Sequence, residues 1–325
     1  MRITITGAAG NLGEYVIKEL EADHDLLLFD LKPRGAAPRF QNHDYLQGDL
    51  LNYEDCLKAV EGADAIVHLA AIRVATDIPG MLEKIEQMTA RMGGDLSKHM
   101  VFDTSRMGLV LPRPLVFDDG FRINVVGTWY LLTAMAEAGV DTIVAATSNA
   151  VFGWDWLGSH PEAVKYLPLD EKHPIYPGGY SYDLSKALDE KILAGFTRRC
   201  GIKTYPFRLG RLRRPDNLRE LAENMAPATG WVVNFFNYLD VRDAARAFRQ
   251  CVEASGEIAS PHEAFCLTAA DTVAQEDSKV LVEKFQPGFA DKAARLVGRQ
   301  SMFSCDKANA YFGYEAQHSW RDYLP

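Results

Sequence analysis

Along the first 210 residues, short apolar runs succeed one another, and the period of the pattern switches between that of a strand and that of a helix. Residues 2 to 6, Arg-Ile-Thr-Ile-Thr, alternate with period two and carry β-branched side chains, which predicts a strand. Glu14 to Leu20 is amphipathic at helical spacing. Leu26 to Phe29 and Ala65 to Leu69 are compact apolar runs that predict buried strands, with a helix over Tyr53 to Val60 between them. Phe121 to Ala138 predicts a long helix with Val125, Val126, Trp129, Leu132 and Met135 on a common side. A strand over Thr142 to Ala146, a helix over Tyr182 to Arg199 and a strand over Lys203 to Arg208 complete the alternation. Strands that alternate with helices imply an α/β fold with a parallel, doubly wound sheet. Ligands of such sheets bind beyond the carboxyl ends of the strands, where Thr142 to Ala146 delivers Ser148.

The first strand runs directly into Gly7-Ala8-Ala9-Gly10-Asn11-Leu12-Gly13, and a helix follows. Glycines at a strand-to-helix turn let the backbone approach a pyrophosphate, and the free N–H groups of the helix start attract its charge. The spacing is G-x-x-G-x-x-G, which departs from the common G-x-G-x-x-G. The second strand ends at Asp30, the position of a carboxylate that binds adenosine ribose hydroxyls. A carboxylate there repels a 2′-phosphate and favours NAD over NADP, although Lys32 and Arg34 lie just beyond it.

Tyr182 and Lys186 sit in Gly-Tyr-Ser-Tyr-Asp-Leu-Ser-Lys, residues 179 to 186. If that stretch opens a helix, residues four apart share a face. A free phenol has a pKa of about 10, and a neighbouring ammonium favours the phenolate. A tyrosine so tuned can take a proton from an alcohol or give one to a ketone.

With these landmarks in order, the chain resembles the extended short-chain dehydrogenases/reductases of the NAD-dependent epimerase/dehydratase type. The matching positions are the glycine turn, Asp30, Gly48-Asp49-Leu50, His68-Leu69-Ala70-Ala71, Asn124, Thr147-Ser148-Asn149 and Tyr182 with Lys186. The resemblance implies a Rossmann-type sheet with a smaller C-terminal substrate-binding lobe. It implies that Asp49 and Leu50 flank the adenine and that Leu69, Ala70 and Ala71 line the cofactor cleft, with Asn124 in the same site. It implies that Ser148 hydrogen-bonds the reacting oxygen, Tyr182 is the acid/base, and Lys186 binds the nicotinamide ribose and tunes Tyr182. By the same resemblance, 1–208 and 237–269 form the NAD-binding domain, and 209–236 and 270–325 the substrate lobe. Val241 to Glu253 and Ala264 to Leu267 then return to the sheet. The helices at 121–138 and 182–199 are those that often form a dimer interface in this family, so a homodimer is expected.

Within the family, Ser148 is followed by Asn149 and Ala150, which leaves a dehydratase without its usual acid and base. Thr147 to Gly153 resembles uronate dehydrogenase and related sugar oxidoreductases, and Arg208-Leu209-Gly210 resembles their Arg-Ile-Gly. The expected activity is hydride transfer from a hydroxyl carbon of a sugar or sugar acid to NAD. A sugar 4-epimerase shares the same three catalytic residues and stands as the alternative; a catalytically silent NAD-binding regulator is the alternative of another class. Arg73, Asn149 and Arg211 are candidate substrate contacts, because an arginine fork binds carboxylate or phosphate and an amide can hold a hydroxyl. The ordinary reading is that Asn149 bonds its own backbone in a turn, and that some of Arg73, Arg208, Arg211, Arg213 and Arg214 are salt-bridged surface residues.

Composition changes this picture little. Over 325 residues the net charge is −9, which argues against a nucleic-acid surface. Five scattered cysteines without a C-x-x-C pair fit reduced thiols in a cytoplasmic protein, with Cys56 and Cys251 as core packing. A strand that begins at residue 2 leaves no signal peptide, and no apolar run is long enough to span a bilayer. No cluster has metal-ligand spacing, and His68 and His173 are expected in structural roles. The segment near 76–118 is longer than its relatives usually are there. It carries a helical pattern at 79–88 and loop signals at Pro112, Pro114 and Asp118 to Gly120, and reads as a surface excursion, a lid or a partner contact.

Overall fold

The computed structural model of the chain describes residues 1–36, 38–72, 119–153, 157–158, 160–178 and 181–324. Arg73, the predicted helix at 79–88 and the loop at Pro112, Pro114 and Asp118 lie outside the described residues.

The expected doubly wound sheet is present. In chain order its elements begin with β1 (Arg2–Thr6), α1 (Gly13–Leu20), β2 (Asp25–Asp30), β3 (Asp44–Gln47), α2 (Tyr53–Val60) and β4 (Ala65–His68). They continue with α3 (Thr128–Ala138), β5 (Thr142–Ser148), α4 (Ser181–Cys200) and β6 (Lys203–Leu209). After these come β7 (Leu212–Arg213), α5 (Pro215–Glu223), β8 (Leu239–Asp240), α6 (Val241–Ala254), β9 (Phe265–Leu267), α7 (Ser278–Phe285) and α8 (Asp306–Phe312). The main sheet has the order β3-β2-β1-β4-β5-β6-β9, and its registered pairs are all parallel. The order reverses between β1 and β4, which opens a crevice at their carboxyl ends.

Alternate residues face opposite layers, as the pleat requires. Val67 and Val144 pack under α1 and α6 with Val16 and Phe248. Ile66 and Ile143 pack on the other side with Leu131, Met135 and Leu193 of α3 and α4. A separate aromatic cluster of Phe152, Phe235, Phe289 and Phe303 fills the region outside the carboxyl ends of β5 and β6. A two-stranded pair, β7 with β8, follows β6 directly.

Three features differ from the sequence expectation. β3 is an additional edge strand. The predicted helix at 121–138 begins at Asp119–Phe121, runs as a π-helix over Arg122–Gly127 and becomes α-helical only at Thr128. Bonds of the i→i+5 type shift the angular register of all that follows. The buried face of α3 is therefore Leu131, Leu132, Ala134 and Met135, while Trp129 stands 46% exposed. Of the predicted common side, Leu132 and Met135 are buried as expected, whereas Trp129 is not and Val125 and Val126 are half-buried. Finally, Arg208 lies in β6, as expected, but its side chain is buried rather than at the surface.

Candidate active site

The turn from β1 to α1 is shaped by missing side chains. Gly7 has φ +70°, and a Cβ there would lie 2.6 Å from the backbone nitrogen of Ala70. A Cβ on Gly13 would lie 2.3 Å from the Ala8 carbonyl oxygen. Both clashes are with backbone, so only glycine fits. The Gly10 N–H donates to the Gly7 carbonyl at 2.9 Å and closes the turn. Gly10 and Asn11 are exposed, while Leu12 and Gly13 are buried at the start of α1. At the end of β2, Asp30 is fixed by backbone donors: Ala9 N–H at 2.8 Å on one oxygen and Lys32 N–H at 3.0 Å on the other. The Lys32 ammonium reaches back to the Ala9 carbonyl at 3.2 Å. Glycine turn, open backbone and carboxylate together form a cradle that fits a dinucleotide.

Asp49 accepts the Leu51 N–H at 2.9 Å, and Leu50 packs into the core against Gly127. Leu69 and Ala71 are half-buried and Ala70 abuts Gly7, so this segment walls the crevice. Asn124 lies in the π-helical turn. Its amide oxygen accepts the Ile72 N–H at 2.8 Å, and its amide nitrogen donates to the Ile72 carbonyl and to Ser185 Oγ, both at 3.0 Å. One side chain therefore ties the end of β4 to α4. The neighbouring His68 is 3% exposed, with Nδ1 against Thr6 Oγ1 at 2.6 Å and Nε2 against Thr128 Oγ1 at 3.2 Å. Burial, with Lys186 adding to it, lowers its pKa to about 3 and keeps the ring neutral.

Ser148 ends β5, is 7% exposed and accepts the Ala150 N–H at 3.1 Å, capping the 3₁₀ turn Asn149–Phe152. Tyr182 is half-buried in the first turn of α4. Lys186, one turn later, is 2% exposed. Its ammonium donates to the Ala146 carbonyl at 3.0 Å, two residues before Ser148, and to Asp189 at 3.1 Å. That bond brings α4 to the carboxyl end of β5 and places Tyr182, Lys186 and Ser148 in one neighbourhood.

Asn149 is fully buried, and neither polar atom of its side chain finds a hydrogen-bond partner among the described residues. It does not fold back onto its own backbone. Arg211 is half-buried, with its N–H held by Asn237 Oδ1 at 3.2 Å. Arg208 instead grips Glu190 of α4 through two hydrogen bonds, at 2.9 and 2.8 Å. Burial opposes its charge, but the Glu190 fork outweighs burial and raises its pKa. Asp189 and Glu190 carry no sequence signal beyond their spacing of three and four residues from Lys186. That spacing on a helix already points both toward the lysine's face.

The chain matches the model of the NAD dependent epimerase/dehydratase family over residues 3–89 and 117–229. It is 25% identical over 259 residues to L-arabinose 1-dehydrogenase (NAD(P)(+)) of Haloferax volcanii, covering 78% of this chain and 83% of the relative. It is 26% identical over 224 residues to uronate dehydrogenase of Pseudomonas syringae pv. tomato, covering 68% of this chain and 63% of that one, less than two thirds of its length. In fold it is similar to a short-chain dehydrogenase/reductase superfamily protein from Agrobacterium tumefaciens solved with bound NAD, with a TM-score of 0.63, 21% identity and coverage of 100% and 95%. The matched residues run from β1 through the end of α5, and so contain the glycine turn, Asp30, Ser148, Tyr182 and Lys186; by that extent of agreement, the chain belongs to the NAD-dependent epimerase/dehydratase family.

Proposed function

We propose that this protein is an NAD-dependent dehydrogenase that oxidises a hydroxyl carbon of a sugar or sugar acid. The observation that carries the reading is the bond from Lys186 to the Ala146 carbonyl, which brings the Tyr182 turn of α4 to the strand end that bears Ser148. NAD supplies the hydride acceptor. Tyr182 takes the hydroxyl proton as the hydride leaves, and Ser148, whose own proton is not engaged by the cap it makes, donates to the substrate oxygen and fixes it. Lys186 holds the nicotinamide ribose. Gly7, Gly10, Asn11, Leu12 and Gly13 receive the pyrophosphate, and Asp30 the adenosine ribose. Asp49 and Leu50 lie at the adenine, and Leu69, Ala70, Ala71 and Asn124 frame the cleft.

The Asp30 carboxylate at the ribose position favours NAD over NADP by charge. Asn149, a buried amide with no partner among the described residues, and Arg211 are the substrate contacts; the polar ligand of a sugar site answers the cost of an unsatisfied buried amide. Residues 1–208 with 237–269 carry the cofactor, and 209–236 with 270–325 the substrate. The exposed Trp129, stacked edge-on against Phe196 at 5.0 Å, lies beside Leu188 and Ile192 of α4 in an apolar hollow that suits a homodimer built on α3 and α4. A monomeric mass at micromolar concentration would remove that part of the reading. Free cysteines at positions 56, 200, 251, 266 and 305 accord with a reducing, cytoplasmic setting.

The test is incubation with NAD and a panel of aldoses, uronates and nucleotide sugars, followed by the NADH absorbance band. A dehydrogenase accumulates NADH. Conversion of a sugar to its epimer with no net NADH makes the protein an epimerase, and silence toward the whole panel with intact NAD binding makes it a regulator.

A further inference from the structure

Lys186 is the central charge of the site, yet it lies where an ammonium is expensive. Lys186 is 2% exposed, and a buried charge calls for a partner of opposite sign. Among the described residues its anionic contact is Asp189, at 3.1 Å and 3% exposed. The remaining groups around the pair do not supply that charge. Glu190 is adjacent on α4, but both of its oxygens are held by Arg208. His68 faces the pair from β4 and is neutral. From α3 comes the Thr128 hydroxyl, from β5 the Ala146 carbonyl, and from the preceding turn of α4 Tyr182.

We propose that Asp189 is a positioning residue for the reaction, the buried counter-charge that keeps Lys186 an ammonium and holds it in place for Tyr182 and the cofactor. The inference rests on the roles given to Tyr182 and Lys186 under the proposed function. The dependence is mutual. One Asp189 oxygen bonds Lys186, and the other has no hydrogen-bond partner among the described residues. Burial raises the Asp189 carboxyl to about 6, against the pull of Lys186. An ammonium has three protons to donate. Asp189 and Ala146 engage two, which aims the third and leaves it for the site.

The first measurement is kcat/KM against pH for oxidation of an accepted sugar, in the wild type, Asp189→Asn and Asp189→Glu. Asparagine keeps the shape and removes the charge. Lys186 then lacks its counter-charge, Tyr182 loses a fixed cationic neighbour, and the rising limb moves up by one pH unit or more, with at least a tenfold loss at pH 7 that recovers at high pH. Glutamate restores part of the shift. A limb that stays in place or moves to lower pH overturns the proposal, because a purely packing role leaves it unmoved.

The second measurement needs no substrate and serves if Asp189→Asn does not fold. In Lys186→Met the Asp189 carboxyl is unpaired and its folded pKa rises further above its unfolded value. Stability from such a group is present at low pH and is lost as pH rises through the folded pKa. The melting temperature of Lys186→Met should therefore approach that of the wild type as pH falls from 8 to 5, and the double variant Lys186→Met/Asp189→Asn should abolish that dependence. A gap independent of pH overturns the proposal. A wild type inactive on every sugar counts against the functional reading alone and leaves this second measurement to decide.

Discussion

The turn between β1 and α1 and the charged cluster on α4 differ in what holds them together. At the turn, backbone meets backbone: Gly7 against Ala70 and Gly13 against Ala8, with no room for a methyl group. At the cluster, side chains of opposite charge meet in a space that water has left: Lys186 with Asp189 and Arg208 with Glu190. The first is a problem of volume and is indifferent to pH. The second is a problem of charge. Even within the cluster the two pairs are unequal, since Glu190 has both oxygens engaged by a planar fork while Asp189 has one engaged by a point charge. The better-satisfied pair braces β6 against α4, and the less satisfied one includes the lysine assigned to chemistry.

Four substitutions separate these principles, in falling order of effect on stability. Arg208→Leu leaves Glu190 buried without its partner and should cost about 3–5 kcal/mol, read from the urea midpoint. A loss below about 1 kcal/mol would mean that the fork contributes little beyond packing. Gly13→Ala should cost about 1–3 kcal/mol by overpacking, equally at all pH values, and should weaken NAD binding in a fluorescence titration. His68→Asn tests the pH sign where the two regions join. His68 is neutral when folded, with a pKa lowered to about 3 against an ordinary value of about 6.5. Its contribution is present above pH 6.5 and is lost as pH falls toward 3. The melting-temperature difference between the wild type and His68→Asn should thus shrink between pH 7 and pH 4, and a constant difference would place the acid sensitivity elsewhere. Tyr182→Phe should change stability by less than about 0.5 kcal/mol, and should lower turnover by 100-fold or more while NAD still binds, since general acid–base catalysis contributes about 10²–10⁴. Unchanged turnover would remove Tyr182 from the chemistry.

The sheet and the glycine turn were legible in the sequence because each is written in contiguous residues. Ile3 and Ile5 announce β1, and the glycines follow without interruption. β3 was not legible: Asp-Tyr-Leu-Gln is a half-exposed edge segment with little apolar contrast. The π-turn was hidden because Arg122 to Gly127 has no composition that separates i→i+5 from i→i+4 bonding, and this misplaced Trp129. Arg208 and Glu190 are 18 residues apart and meet only when β6 lies beside α4. The spacing of Lys186, Asp189 and Glu190 was visible, but burial gives it meaning, and burial is a property of the packed layers. The Asn149 amide, without a partner among the described residues, likewise gains meaning only once β5 has delivered it into the interior.

The approach of Gly7 to Ala70 also constrains how such a protein can diverge. Main chain rests on main chain at that seam, so no exchange of residues on either side can widen or narrow it by degrees. On the proposed reading, new specificity has to be written elsewhere, in the segments that follow β5 and β6, while the seam remains a fixed mould.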